Sequence, residues 1–383
     1  MRFIHTADWH LGRLFHGTHL TGDQAHVLEQ FISLCRDLKP DAIFVAGDIY
    51  DRAVPPPEAV ELLDDVLCRL VLDVKVPVVM IAGNHDSPGR LHFAARLLHE
   101  QKLHVRGNLS ADCSPIVFGD AHGPVHVFAL PYAEPSVVQQ CLEADGLLDH
   151  DSAMRAMTAR ICQEKTSARS ILIGHAFVAG GQACESERPL SVGGAGTVDV
   201  SCFAGFDYVA LGHLHRPQKI HCTGGQVRYS GSLLKYSFDE ADHAKSVTLV
   251  EMDARGICGC QTFSLTPRRD VRRISGLLAD LLLQTPDETS KNDYLEVTLL
   301  DEGPVFDPVG RLREVYPNVS ELKRANSSRE ATPASDRIDH KKMTELELFD
   351  AFYRHVTGNA LEERQAQAFC QIVESMRRSE REE

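Results

Sequence analysis

Five short segments of this 383-residue chain carry side chains that bind metal ions, and each follows an apolar run. A single Asp-x-His pattern is weak evidence, because so short a motif arises by chance in many proteins. Five such elements, each at the end of a predicted strand, are strong evidence for a metal site. In chain order the candidate residues are Asp8, His10, Asp48, Asp51, Asn84, His85, His175, His213 and His215.

The donor types in these segments indicate which metals they suit. Carboxylates, imidazoles and one amide oxygen combine hard oxygen with borderline nitrogen, without a thiolate. That mixture favours Mn²⁺, with Fe²⁺ or Zn²⁺ as alternatives, over a soft metal. An aspartate between two cations about 3.5–4 Å apart can give one oxygen to each. Asp48 is the candidate for this bridging position.

The elements that must position these residues are the strands of an α/β sandwich. Residues 1–265 alternate short apolar runs with helical stretches. In open α/β sheets, ligands bind beyond the carboxyl ends of the strands. We therefore expect several segments to bring their side chains to one edge of the sheet. The predicted buried strands 43–46, 78–82, 171–173 and 208–211 run directly into Gly47, Gly83, Gly174 and Gly212.

The chain changes character near residue 266. A predicted helix at 274–283, a strand at 294–300 and a second helix at 309–315 indicate a small α/β domain over 266–325. Residues 326–342 are polar and are predicted to be a linker. Over 343–383, apolar residues recur at helical spacing, so these helices either pack on the body or dock a partner helix.

Charge and cysteine content limit the possible functions. The formal net charge of −14 argues against a protein that coats nucleic acid through bulk charge. Bound divalent cations would reverse the local field, so a nuclease is not excluded. The 11 cysteines are scattered and odd in number, which favours free thiols in a reducing cytoplasm over disulfides. Without an apolar run of roughly 20 residues or an apolar leader, we expect a cytoplasmic protein with no membrane span.

The motifs resemble those of the calcineurin-like metallophosphoesterases, and the chain as a whole is similar to the SbcD-like nuclease subunits. The motif resemblance covers residues 1 to about 240. Segments 186–190, 193–194 and 228–240 are similar to SbcD-like proteins and are not general to metallophosphoesterases. The fold implied is a four-layer α-β-β-α sandwich, followed by a small α/β capping domain and C-terminal helices.

The resemblance also implies roles for the candidate residues. A water between the two metals would attack phosphorus. His85 would face the phosphate without binding metal, and Asp51 would orient His85. The first metal would be held by Asp8, His10, Asp48 and His215, and the second by Asp48, Asn84, His175 and His213.

The activity implied is a Mn²⁺-dependent exonuclease on double-stranded DNA ends and an endonuclease on single strands and hairpins, acting in repair and recombination. The partner implied is an SbcC-type, SMC-like ATPase gripped by the C-terminal helices. A homodimer would pair through helices near 58–72 and 91–99. Lys235, Arg268 and Arg269 are candidate DNA contacts, although the arginine cluster has an equally good interpretation as a solvated hinge.

Two other functions are compatible with the same residues. A metallophosphatase or cyclic-nucleotide phosphodiesterase would need the same metals, and a DNA-end scaffold would keep the fold without catalysis. Serine/threonine phosphatases resemble Gly-Asp-x-x-Asp-Arg-Gly and Gly-Asn-His-Glu, where this chain ends in Ala53 and Asp86. A small phosphodiesterase would have little use for the long segment beyond Leu265. An inactive scaffold would be expected to lose some ligand positions, and none is missing. The nuclease interpretation is therefore favoured.

Overall fold

The computed structural model describes residues 1–166, 169–188, 190, 196–222, 224–284, 286–287, 290–303 and 305–325, with short stretches between 346 and 373. Met1–Arg324 form one compact unit and Ala325–Glu383 a second. In the second unit, residues 364–369 are helical and the rings of Phe349 and Phe369 stack 4.1 Å apart. The predicted linker 326–342 and most of the predicted helices in 343–383 lie outside the described residues.

Short strands and amphipathic helices make up the first unit. The strands are β1 (Arg2–Thr6), β2 (Leu14–Phe15), β3 (Thr18–His19), β4 (Ala42–Val45), β5 (Val78–Ile81), β6 (Leu103–Arg106), β7 (Ile116–Asp120), β8 (Gly123–Ala129), β9 (Arg169–His175), β10 (Phe177–Val178), β11 (Thr197–Val198), β12 (Tyr208–Gly212), β13 (Gln218–Ile220), β14 (Gln226–Tyr229), β15 (Ser246–Asp253), β16 (Gly256–Ser264), β17 (Val271–Gly276), β18 (Tyr294–Leu299) and β19 (Val319–Arg324). The α-helices are α1 (Thr21–Leu38), α2 (Pro57–Cys68), α3 (Pro88–Leu91), α4 (Ala95–Glu100), α5 (Pro135–Leu142), α6 (His150–Glu164), α7 (Leu278–Leu283) and α8 (Pro308–Val315).

Two six-stranded sheets form the centre of the molecule. The first has the order β16-β15-β1-β4-β5-β6 and the second β13-β14-β12-β9-β8-β7. In the first sheet β1, β4, β5 and β6 run parallel, and β15 and β16 add antiparallel at the β1 side. In the second, β14, β12, β9 and β8 run parallel, with the antiparallel strands β13 and β7 at the two edges. Parallel strands covered on both faces are continuously apolar. β4 (AIFV) and β5 (VVMI) fit that rule, and all their residues are buried.

Three apolar layers hold the sandwich together. Phe3 and Phe44 of the first sheet pack with Ile173 and Tyr208 of the second, between the sheets. α1 and α2 cover the other face of the first sheet, and α5 and α6 cover that of the second. Burying a side chain such as Phe44 contributes about 1.5–3 kcal/mol. The predicted four-layer α-β-β-α sandwich is confirmed.

Helix boundaries follow local sequence signals. Pro57 occupies the first turn of α2, where proline's missing N–H is not needed. Asp149 caps α6 by accepting from the backbone N–H of Ser152, and Ser152 completes the capping box. Among the described residues, no helix is long and apolar enough to cross a membrane.

Residues 271–324 build a small three-stranded parallel sheet in the order β17-β18-β19. α7 and α8 cover it, with Leu281, Leu295 and Leu312 in a core of their own. The predicted helix at 274–283 is wrong over its first part, because β17 extends to Gly276 and only Leu278–Leu283 are helical. Val271 and Ile274 are three positions apart, so the sequence shows no strand alternation here. The segment is a strand because it pairs with β18, with Val271 opposite Tyr294 and Ile274 opposite Val297.

Candidate metal centre

The ends of five strands meet at one edge of the sandwich. Asp8 and His10 follow β1, and Asp48 follows β4. Asn84 follows β5, His175 ends β9, and His213 and His215 follow β12. Because β1, β4 and β5 belong to the first sheet while β9 and β12 belong to the second, the centre lies across the two sheets. All seven predicted ligands are brought together here.

Two overlapping groups of ligand atoms result. Atoms of Asp8, His10 and His215 lie within 4.8 Å of one another, and so do atoms of Asp8, Asp48 and His175. Oδ2 of Asp48 is 3.6 Å from Nε2 of His10 and 3.5 Å from Nε2 of His175. Asp48 therefore stands between the two groups, in the position that a bridging carboxylate requires.

Asn84 completes the second group. Its Oδ1 is 2.9 Å from Nε2 of His175 and 3.2 Å from Nδ1 of His213. In the first group, Nε2 of His10 and Nε2 of His215 are 3.0 Å apart. Six of these seven side chains are in buried residues and Asn84 is half-buried, so their charges are little screened by water.

The backbone at this edge is strained. Asp8, His10, Asp48 and His213 all have positive φ, at 54°, 46°, 50° and 107°. Left-handed backbone at non-glycine residues costs of the order of 1–3 kcal/mol each and concentrates at functional sites. The packed sandwich holds these four residues in conformations that a free loop would avoid.

Glycines before the candidate ligands let the loops approach each other. A Cβ at Gly83 would lie 2.2 Å from Oδ1 of Asp48, and one at Gly212 would lie 1.9 Å from the carbonyl oxygen of Ala46. Any side chain at these positions would push the two loops apart. The repeated glycine is therefore a packing requirement of the site.

The donor arrangement of His175 fits a bound cation. Nδ1 of His175 is 2.9 Å from the carbonyl oxygen of Ala46, which only accepts, so Nδ1 carries a proton. In a neutral ring the Nε2 lone pair then faces oxygens of Asn84 and Asp48 at 2.9 and 3.5 Å. Three lone pairs converge, and a cation placed among them would remove their repulsion. Oδ2 of Asp8 is also buried without a hydrogen-bond partner among the described residues.

The pKa shifts at the centre follow from the burial of these side chains and from the charges of their neighbours. Although burial opposes protonation, the Asp48 and Asp8 carboxylates raise the pKa of His175 to about 9. Burial raises the pKa of Asp8 to about 7, against the opposing effect of His175 and His215. Burial lowers the pKa of His213 to about 3, with His175 adding to the effect. Without metals, a proton on His175 supplies the positive charge that the carboxylates require.

His85 lies beside the ligands and is anchored by Asp51. The backbone N–H of His85 donates to Oδ1 of Asp48 at 2.9 Å, and its Nδ1 donates to the main-chain carbonyl of Asp51 at 2.7 Å. The carboxylate of Asp51 does not make that contact; it accepts from Arg13 at 3.0 Å. Its distance from Nδ1 of His10 is 3.7 Å. Asp51 thus holds His85 through its backbone, which a change of side chain would leave in place.

Sequence reasoning did not reveal how two residues support the centre. Asp86 accepts from the backbone N–H groups of Ile49, Tyr50 and Gly83 at 2.9–3.1 Å, and so ties the β4 and β5 loops together. Its position after Asn84 and His85 was the available signal. Arg13 donates to Asp51 and to the carbonyl of Ser186 at 3.3 Å. No motif around Arg13 marked it, because its role depends on contacts distant in sequence.

The three predicted DNA contacts have different surroundings. Lys235 forms an ion pair with Asp270 at 2.9 Å, and its side chain is 11% exposed. Arg269 forms an ion pair with Asp23, which is buried. These contacts give Lys235 and Arg269 a structural role in joining the small sheet to the sandwich. Arg268 is exposed to solvent.

Comparison with known proteins gives two family matches. Residues 1–217 match the family model described as calcineurin-like phosphoesterase. Residues 267–357 match the model for the SbcD C-terminal domain, described as the type 5 capsule protein repressor C-terminal domain. The first of these matches covers more than half of the chain, and it includes all seven candidate ligands.

The chain is similar to several solved structures at low sequence identity. TT1561 of Thermus thermophilus is 14% identical with a TM-score of 0.40, over 69% of this chain and 99% of that one. A dimetal phosphatase from Danio rerio is 14% identical with a TM-score of 0.43, over 70% and 99%. GAP50, the anchor in the inner membrane complex of Plasmodium, is 15% identical with a TM-score of 0.38, over 84% and 96%.

Proposed function

The chain belongs to the calcineurin-like phosphoesterase family, and from that premise we propose that it is a metal-dependent DNA nuclease. Double-stranded ends would be its exonuclease substrates, and single strands and hairpins its endonuclease substrates. The observation that carries the proposal is the pairing, in one chain, of a two-group metal centre with a match to the SbcD C-terminal domain. A phosphatase or cyclic-nucleotide phosphodiesterase would need the metal centre, but its activity would not explain the match to the SbcD C-terminal domain.

The proposed ligand sets are those that the family resemblance implies. Asp8, His10, Asp48 and His215 would hold one divalent ion, and Asp48, Asn84, His175 and His213 the other. The oxygen and nitrogen donors suit Mn²⁺. Bound there, the ions would supply a nucleophile by lowering the pKa of water, and would offset charge on the phosphate.

His85 is the proposed proton donor. With Nδ1 held by the carbonyl of Asp51, Nε2 is the nitrogen left to gain or lose a proton. In the imidazolium form, Nε2–H can donate to a phosphate oxygen or to the leaving 3′ oxygen. Asp48 accepts from the backbone N–H of His85, so one carboxylate positions both the ligand set and this donor.

A homodimer is part of the proposal. A cavity of about 400 Å³ opens between α2 and the α3–α4 segment, lined by apolar residues including Leu63, Leu67 and Leu98. Phe93 also lines this cavity and is 81% exposed, and Leu97 of α4 is 75% exposed. Clustered exposed apolar side chains of this kind mark protein contact surfaces. This face coincides with the helices near 58–72 and 91–99, which the family resemblance assigns to dimerisation.

The remaining parts concern DNA and the ATPase. The small sheet would cap DNA over the metal centre, with exposed Arg268 as a phosphate contact. Residues 343–383 would dock an SbcC-type, SMC-like ATPase, whose ATP cycle would control access in repair and recombination. A cytoplasmic location is proposed from the cysteines, since the ten described ones are free thiols.

The test compares cleavage of an end-labelled duplex and a hairpin in Mn²⁺ by the wild type, His85→Ala and His122→Ala. His122 is an exposed histidine outside the centre, so its variant is the matched control. We expect His85→Ala to cut about 10²–10⁴-fold more slowly while binding metal normally. Half of the reactions contain an SbcC-type ATPase and ATP. Rapid turnover of a cyclic nucleotide or phosphopeptide, with DNA intact in every reaction, would overturn the nuclease assignment in favour of a small-substrate phosphoesterase.

A further inference from the structure

Two segments far apart in the chain meet behind His215. Ser186 belongs to segment 186–190 and Glu240 ends segment 228–240. Oγ of Ser186 lies 2.8 Å from Nδ1 of His215 and 2.5 Å from Oε1 of Glu240. All three residues are buried, with Ser186 at 7%, His215 at 1% and Glu240 at 0% exposure. The contacts thus lie on the side of the ring away from Nε2, the atom that faces His10.

The direction of these hydrogen bonds follows from Glu240. Its carboxylate also contacts the ammonium of Lys245 and accepts from the backbone N–H of Tyr236 at 3.0 Å. An ionised carboxylate only accepts, so the Ser186 hydroxyl donates to Glu240. The hydroxyl oxygen is then left to accept from Nδ1–H of His215 at 2.8 Å, and Oε1 of Glu240 lies 3.3 Å from the same Nδ1 as a second, longer contact. With the ring proton fixed on Nδ1, Nε2 carries a lone pair directed at the metal centre.

The backbone of His215 is held by the same group of residues. Its N–H donates to Oε1 of Glu187 at 2.7 Å. Its carbonyl accepts from Nζ of Lys245 at 2.8 Å. Every polar atom of His215 other than Nε2 therefore contacts one of four residues: Ser186, Glu187, Glu240 and Lys245.

His175, the corresponding histidine of the second group, is held differently. Its Nδ1 donates to the main-chain carbonyl of Ala46. A backbone acceptor is present whatever side chain occupies position 46. The ring of His215 depends instead on the side chains of Ser186 and Glu240.

We propose that Ser186 and Glu240 are positioning residues that orient His215 and set the affinity of the first metal site independently of the second. The relay from His215 through the Ser186 hydroxyl to Glu240 is the carboxylate–histidine arrangement that tunes metal ligands. The inference rests on the proposed function, because it takes His215 to be a metal ligand. It predicts that the two sites can be weakened separately.

The experiment is a Mn²⁺ titration of the metal-free full-length protein, read by calorimetry and by electron paramagnetic resonance, which separates single from coupled Mn²⁺ ions. Ser186→Ala removes the relay, and Ser186→Thr restores a hydroxyl. Glu240→Gln combined with Lys245→Met removes both buried charges together, which avoids leaving the ammonium unpaired. Ser170→Ala is the matched control, since Ser170 is buried in β9 outside this group. His215→Ala and His213→Ala provide the signals of a lost first and a lost second site.

We expect Ser186→Ala and the double variant to weaken one site about 10–100-fold, with the signal of His215→Ala and not that of His213→Ala. Ser170→Ala should bind as the wild type does, and Ser186→Thr should recover most of the affinity. Unchanged binding in Ser186→Ala and the double variant would overturn the inference, and so would equal weakening of both sites. Two ions bound normally by His215→Ala would instead refute the ligand assignment on which the proposed function stands.

Discussion

Nε2 of His175 lies 2.9 Å from Oδ1 of Asn84, while Nδ1 of the same ring donates to a backbone carbonyl. A neutral imidazole held in this way directs its lone pair at an oxygen. The contact is favourable only if a positive charge sits at Nε2, either a proton or a metal ion. A cation bound at Nε2 of His175 therefore stabilises the folded chain.

Mn²⁺ should accordingly stabilise the native state. A ligand that binds only the folded chain, present at 100 times its Kd, adds about 2.7 kcal/mol to the free energy of unfolding. We expect Tm to rise with Mn²⁺ concentration and to return to its starting value with a chelator. Asp48→Asn should remove most of the increase, because Asp48 faces both groups. If the Tm of the wild type does not change with Mn²⁺ concentration, the chain does not have a preformed two-metal centre.

Gly83→Ala should damage the centre while Gly89→Ala should not. The added methyl at Gly83 would lie 2.2 Å from Oδ1 of Asp48, whereas nothing lies within 4 Å of the Cβ position at Gly89. Overpacking of this kind costs about 1–3 kcal/mol, and here it also displaces the Asp48 carboxylate. Urea unfolding and Mn²⁺ binding measure the two effects. If Gly83→Ala keeps wild-type stability and metal binding, the close approach of the two loops is not required.

Much of the centre was accessible from the sequence. Parallel strands deliver their carboxyl ends to one edge of a sheet, so a polar cluster after each buried strand predicts convergence without any coordinates. Asp48 and His175 could be placed in this way. The two-sheet sandwich came from the family resemblance, since an apolar run such as Val78–Ile81 has the same pattern in one sheet or two.

Contacts between distant segments were beyond sequence reasoning. Asp86 accepts from the loop after β4, and Ser186 reaches Glu240 across 54 positions. Neither pairing leaves a local pattern. Lys235 and Arg269 illustrate the same limit, because a basic residue in sequence does not reveal whether an acid such as Asp23 will pair with it in the fold.

The ion pair between Asp120 and Arg169 should make stability depend on pH. Nη1 of Arg169 donates to Asp120 at 2.9 Å, and the side chains of Arg169 and Asp120 are only 9% and 13% exposed. The hydrogen bond from Arg169 holds the pKa of Asp120 well below its usual value. A lowered folded-state pKa contributes stability that is complete above the unfolded pKa of about 3.9 and is lost as pH falls through the folded pKa.

Asp120→Asn should therefore cost about 1.5–3 kcal/mol at pH 7, and the difference from the wild type should shrink below about pH 4. Urea unfolding at pH 7 and pH 3 measures both values. Glu251→Gln is the control, because the side chains of Glu251 and its partner Arg2 are 49% and 43% exposed and such surface pairs contribute about 0–1 kcal/mol. A difference for Asp120→Asn that is the same at both pH values would rule out ionisation of Asp120 as its source.

Arg268 and Arg269 are adjacent, yet their substitution should affect different properties. The Arg269 guanidinium pairs with Asp23, donating from Nε at 3.0 Å, and lies 4.9 Å from the ring centre of Tyr294. Arg269→Ala would leave the buried Asp23 carboxylate without its ion-pair partner, at a cost of about 3 kcal/mol in unfolding free energy. Arg268 is exposed, so Arg268→Ala should change stability by less than about 0.5 kcal/mol.

For DNA binding, we expect Arg268→Ala to have a larger effect than Arg269→Ala. If Arg268 contacts a phosphate, Arg268→Ala weakens binding similarly for all sequences and reduces the slope of log K against log salt by about 1. Arg269→Ala, measured where it is fully folded, should keep the wild-type slope because its charge is already neutralised by Asp23. Binding of a labelled duplex at several salt concentrations, in Ca²⁺ to suppress cleavage, separates the two. An unchanged slope for Arg268→Ala together with a reduced slope for Arg269→Ala would mean that the Asp23 ion pair opens when DNA binds.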